Sequence, residues 1–188
     1  ANELIYVLGT KSFIQELKKN KIRVTTDCEE EEITCVVVSY DNQLTYEKLS
    51  DTCKLLSTQK VDYLATNPDL VCPVSFGYIP DCGSMSIMLK NATGKTPFFI
   101  GKPEPIMIDC VLKKLGISKE DTVIVGDRIY TDIACGVNAG VGRSGKRATP
   151  NQPGFSTVSV KCAQNWRGSA CGSPNSPDAI FRNIHNRL

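Results

Sequence analysis

Short β-branched and apolar runs alternate with segments of helical period along this chain, and that alternation restricts it to an α/β fold. Ile33 to Val38 is six residues of strand-forming character, too short for a stable helix and apolar enough for a central strand. Residues 3 to 9 read as a strand ending at Gly9, and Phe13, Ile14 and Leu17 then mark the apolar side of a helix. Tyr46, Leu49, Cys53 and Leu56 repeat the helical spacing, and Val61 to Ala65 is the next strand. Pro97 to Ile100 and Val123 to Val125 are two further apolar runs, separated by Ile106, Met107, Val111, Leu112 and Leu115 at helical spacing with Gly116 as a stop. This last unit predicts two parallel strands joined by a helix.

Each of those two runs ends in glycine followed by a charged residue: Gly101-Lys102 and Gly126-Asp127. A second aspartate, Asp132, follows five positions on, beside Thr131, and either could cap a helix running through Ile133, Ala134 and Cys135. Strand ends in open α/β sheets are where ligands bind. A lysine and two carboxylates converging there suit phosphate chemistry, with Mg²⁺ as the hard cation that oxygen ligands hold. Aspartate is also common in turns and caps, so one such turn carries little weight without its partner.

The third and fourth motifs of haloacid-dehalogenase-like phosphatases have this form. Gly101-Lys102-Pro103, then Val125-Gly126-Asp127-Arg128 with Thr131-Asp132-Ile133, resemble them, most closely in the NagD-like branch. That branch includes 4-nitrophenylphosphatase, phosphoglycolate phosphatase and nucleotidase members. Ile5-Tyr6-Val7-Leu8-Gly9, Leu44-Thr45-Tyr46-Glu47-Lys48-Leu49 and Ala65-Thr66-Asn67-Pro68-Asp69 extend the resemblance over roughly residues 3 to 141. It implies a small α/β cap domain over residues 1–94 and a partial Rossmann-like core over 95–141. It also implies hydrolysis of small phosphorylated substrates, with Asp127 ligating Mg²⁺. Lys102 would neutralise charge between phosphate and nucleophile, and Asp132 would act through water or by holding Lys102. Asn67, Asp69, Gly83 and Ser84 are the expected substrate contacts of the cap, the last two in a turn at Cys82-Gly83-Ser84. The family usually has Pro-Gly where this chain has Pro80-Asp81.

Such enzymes use an Asp-x-Asp motif whose first aspartate attacks phosphorus. None of the chain's aspartates stand two residues apart. The chain is therefore expected to be an internal and C-terminal fragment, inactive alone, whose core remnant leaves sheet edges unpaired. The alternative is a non-catalytic, cap-like module that binds a nucleotide or a protein partner.

Composition narrows the remaining choices. A hydrophobic fraction of 41% supports a core, and no apolar run approaches the ~20 residues of a membrane span. Nine cysteines include no Cys-x-x-Cys pair and stand beside a single histidine, so reduced thiols in a cytoplasmic protein are expected in place of a zinc site. The net charge of +2 hides an asymmetry, because residues 142–188 hold seven Lys or Arg and one Asp. That segment is rich in Gly, Ser, Pro and Asn and is expected to be irregular, of foreign or shifted-frame origin. Its Gly145-Lys146 lacks Walker spacing, and nucleic-acid binding through basic residues and Trp166 is the lesser reading. A homo-oligomer is the expected assembly if the core remnant exposes apolar surface.

Overall fold

The computed structural model describes residues 3–126 and 128–141. Asp127, the expected metal ligand, and the basic tail with Gly145, Lys146 and Trp166 lie outside the described residues. The chain divides into two units, Ala1–Ile100 and a second beginning at Gly101.

The first unit is an α/β layer structure around a five-stranded parallel sheet, the fold class expected from the alternation. Its strands are β1 (Leu4–Leu8), β2 (Val24–Thr25), β3 (Ile33–Val38), β4 (Asp62–Ala65) and β7 (Phe98–Phe99), in the order β2-β1-β3-β4-β7. Helices α1 (Lys11–Lys19) and α2 (Tyr46–Thr58) connect them, each opened by a threonine. Thr10 Oγ1 accepts from the Phe13 N–H at 3.2 Å, and Thr45 Oγ1 from that of Lys48 at 3.3 Å. Side chains alternate across a strand, so Leu4, Tyr6, Leu8, Val36 and Val38 share one face and pack with Leu55 and Leu56 of α2. Burial of each such large side chain contributes about 1.5–3 kcal/mol.

Two features of this unit correct the expectations. Pro97 to Ile100 was expected to open the following strand–helix–strand unit, but its strand β7 adds to the outer edge of β4, with Leu64 opposite Phe98. The supposed turn at Cys82-Gly83-Ser84 is the first turn of a helix, α3 (Cys82–Thr93). Asp81 is its N-cap, its Oδ1 accepting from the Cys82 N–H at 2.6 Å, which gives the departure from Pro-Gly a local role. The helix is preceded by a hairpin of β5 (Val71–Val74) and β6 (Gly77–Pro80), for which the sequence carries no expectation.

The second unit contains α4 (Ile106–Leu115), a wide π-helical turn (Ile129–Ile133) and α5 (Ala134–Ala139). Leu112, Ala139 and Val141 form its buried cluster, with Ile108 and Ile124 packed against them. The expected strand at Val123 to Val125 is absent: among the described residues this run joins no ladder, and Val125 is 60% exposed. Apolar β-formers become a strand only where a neighbouring strand takes their N–H and C=O groups, and the described residues offer none here. Among the described residues, no helix is long and apolar enough to cross a membrane.

Candidate active site

Lys102 enters the site from the loop after β7. Glu104 N–H donates to the Gly101 carbonyl at 3.1 Å, and Pro105 then starts α4 without needing an N–H partner. The Lys102–Pro103 peptide is cis. Thirty residues further on, Asp132 comes from the π-helical turn, and its Oδ1 accepts from Lys102 Nζ at 2.5 Å. The structure thus brings these two side chains together.

The turn that carries Asp132 differs from the expected cap. Helical structure already begins at Ile129, so neither Thr131 nor Asp132 is the N-cap. The Ile133 N–H donates to the Arg128 carbonyl at 3.2 Å, five residues back, and that bond widens the turn. Asp132 instead reaches back, its Oδ2 accepting from the Arg128 N–H at 3.3 Å. It can do so because residue 126 is glycine. A Cβ there would lie 2.0 Å from Asp132 Cβ and 2.8 Å from Oδ2. The tight approach of carboxylate to backbone, and not a positive φ, is what this glycine provides.

Burial works against ionisation of Asp132, since its side chain is only 12% exposed. The Lys102 ammonium and the Arg128 backbone N–H and charge outweigh it, holding the carboxyl below its ordinary value. Lys102 is half-exposed. One of its three N–H bonds goes to Asp132, and the others can reach anionic oxygens. Beside the pair a cleft of about 470 Å³ runs between α4 and the 122–125 segment, lined by Met107, Val111, Leu112, Ile124 and Val125. Thr131 is buried, and among the described residues its hydroxyl has no hydrogen-bond partner.

From α5, two side chains to which the sequence assigns no role at the site contact the lysine loop. Cys135 Sγ–H donates to the Glu104 carbonyl at 3.0 Å, and Asn138 Nδ2–H to the Pro103 carbonyl at 2.9 Å. Burial pushes the Cys135 thiol up; Lys102 opposes this and Asp132 adds to it. Only the spacing of positions 132, 135 and 138 could have drawn attention to them.

The four residues expected to touch substrate from the first unit lie together. Asn67 Oδ1 accepts from the Asp69 N–H at 3.0 Å, Gly83 N–H donates to the Asp69 carbonyl at 2.8 Å, and Ser84 Oγ–H to the Leu70 carbonyl at 2.6 Å. These bonds dock the start of α3 on the loop after β4.

Mg²⁺ needs about six oxygens in octahedral array. Among the described residues no group of three or more His, Cys, Asp or Glu forms a metal site, and both Asp132 oxygens already accept hydrogen bonds. The described donors alone do not make the set.

Residues 99–143 match the protein-family model described as HAD-hyrolase-like. The acid sugar phosphatase of Staphylococcus haemolyticus is 35% identical over 137 residues, 73% of this chain and 51% of the relative. The 5'-nucleotidase YutF of Bacillus subtilis is also 35% identical over 137 residues, covering 73% and 52%. Among solved structures, 4-nitrophenylphosphatase from Thermotoga maritima superposes with a TM-score of 0.66 at 39% identity, covering 73% of this chain and 51% of that one. Fold and motifs together make this chain a member of the haloacid-dehalogenase-like family. Within it, the similarity is to the NagD-like branch. The chain spans about half the length of the relatives it matches.

Proposed function

We propose that the protein hydrolyses phosphate monoesters of small metabolites or nucleotides in a Mg²⁺-dependent reaction. The observation that carries this reading is the Lys102–Asp132 pair, Nζ to Oδ1 at 2.5 Å, on a turn made possible by Gly126. In this reading Asp132 orients Lys102, and the ammonium offers its free N–H bonds to phosphate oxygens as negative charge develops. Asp127 is assigned as one oxygen ligand of Mg²⁺, which when bound would polarise the phosphoryl group. Further ligands must come from outside the described set. Asn67, Asp69, Gly83 and Ser84 are assigned to the part of the substrate beyond the phosphate. The protein is assigned to the cytoplasm, with small phosphorylated substrates and not nucleic acid as partners. Exposed Leu115, Val125, Ile129 and Tyr130 make a homo-oligomer part of the same reading.

No Asp-x-Asp pair occurs in the 188 residues, so the chain assayed alone is assigned no turnover. That same feature supports the second reading, a binding module, for which saturable nucleoside-monophosphate binding without turnover is the signature. The test is phosphate release from p-nitrophenyl phosphate, a nucleoside monophosphate and a sugar phosphate. Protein purified from its native source should release phosphate with Mg²⁺ and stop in EDTA. No release from any of the three overturns the hydrolase reading, and release that persists in EDTA overturns the metal assignment. Mg²⁺-dependent release by the 188-residue chain overturns its assigned inactivity.

A further inference from the structure

We propose that Asn138 is a positioning residue for Lys102, acting through the backbone of the loop that presents the ammonium. Positions 132, 135 and 138 stand at i, i+3 and i+6 on one continuous helical segment, so they fall on one side of it. All three hold the same three-residue stretch. Asp132 takes the Lys102 side chain, Cys135 donates to the Glu104 carbonyl, and Asn138 donates to the Pro103 carbonyl. The assignment of the Asn138 amide is unambiguous because a carbonyl can only accept, which places Nδ2 toward it.

The three contacts differ in what they could do besides. Cys135 is 2% exposed and Asp132 8%, so both contribute to packing as well as to the loop. Asn138 is exposed, near the end of a short helix, and its packing contribution is correspondingly small. Pro103 has no N–H, so the peptide next to Lys102 cannot anchor itself with a donor of its own. Among the described residues the Asn138 bond is therefore the tie nearest to Lys102 on the C-terminal side. Without it the loop keeps the Glu104 N–H bond to the Gly101 carbonyl and the Cys135 bond to Glu104, but the peptide beside Lys102 loses its own tie and the ammonium is held less firmly.

The catalytic meaning of this tie rests on Lys102 being the phosphate-facing cation, but its test needs no turnover. Acetic anhydride labelling of the 188-residue chain, read by peptide mass spectrometry, reports how firmly each lysine amine is held. Asn138→Ala and Asn138→Leu, the latter close in shape and unable to donate, should each raise Lys102 labelling relative to exposed Lys113 by about two- to tenfold, the range one lost hydrogen bond supplies. Circular dichroism should show an unchanged melt for both variants. An unchanged Lys102 rate in either variant, or an equal rise at Lys102 and Lys113, overturns the proposal. Failure of phosphate release would remove the hydrolase reading and leave the labelling result standing, so the two failures are distinguishable.

Discussion

Gly126 and Asp132 share a space that admits only one Cβ: a methyl at 126 would sit 2.0 Å from Asp132 Cβ and 2.5 Å from its Cγ. Gly126→Ala must therefore displace the carboxylate from Lys102 and from the Arg128 N–H. The expected cost is about 1–3 kcal/mol, as for other overpacked sites. Urea denaturation should show the loss, and Lys102 acylation should rise with it. An Ala variant as stable as the parent, with Lys102 still protected, would contradict the geometry.

Acid should weaken the same pair. The folded-state pKa of Asp132 is depressed below its unfolded value of 3.8. Its stabilising contribution is thus fully present above that value and is lost as the pH falls through the folded pKa. Because Lys102 is half-exposed, solvent screening limits the contribution to about 1 kcal/mol or less. Chemical denaturation of parent and Asp132→Asn at pH 6 and pH 3 should give a gap that narrows in acid. A gap that widens in acid would reverse the sign assigned here.

Lys48 neutralises a fully buried carboxylate in the first unit. Asp41 Oδ2 accepts from Lys48 Nζ at 2.6 Å while Oδ1 accepts from the Gln43 N–H at 2.8 Å, and the Asp41 side chain has no exposed surface. Lys48→Met should cost about 2–3 kcal/mol by leaving a buried charge uncompensated, and Asp41→Asn combined with it should recover part of that loss. A double-mutant denaturation cycle reads both numbers, and purely additive effects would show that the two side chains do not interact.

Gly83→Ala should be the more damaging of the two glycine substitutions. The new Cβ would meet the Pro68 carbonyl oxygen at 2.3 Å and the Asp69 oxygen at 2.7 Å, and both are backbone atoms with little room to move. Loss of about 2–3 kcal/mol is expected, with exchange of the Gly83 amide hydrogen accelerated as its bond to Asp69 opens. Unchanged thermal stability would mean that α3 does not dock on the 67–70 loop as described.

Periodicity made β1, β3, β4, α1, α2 and α4 legible, because each declares itself within its own length by an alternating, continuous or helical apolar pattern. It failed for α3, whose first turn holds Gly83 and Ser84 and reads as a loop until Asp81 caps it. The β5–β6 hairpin escaped for a related reason: Pro73 and Pro80 sit within four-residue strands. At Val123 to Val125 the local pattern predicts a strand that the described residues do not form.

The residues by themselves determined that this chain is α/β, that it carries the Gly-Lys-Pro and Gly-Asp motifs of its family, and that Lys102 and Asp132 are the groups to watch. Those are properties of residue type and spacing. Tertiary structure alone decided that β7 completes the first sheet, that the 122–125 run stays unpaired, and that Cys135 and Asn138 reach back to the carbonyls beside Lys102. Strand pairing and side-chain-to-backbone bonds join positions about thirty residues apart through groups that every residue possesses, so no local pattern of side chains records them.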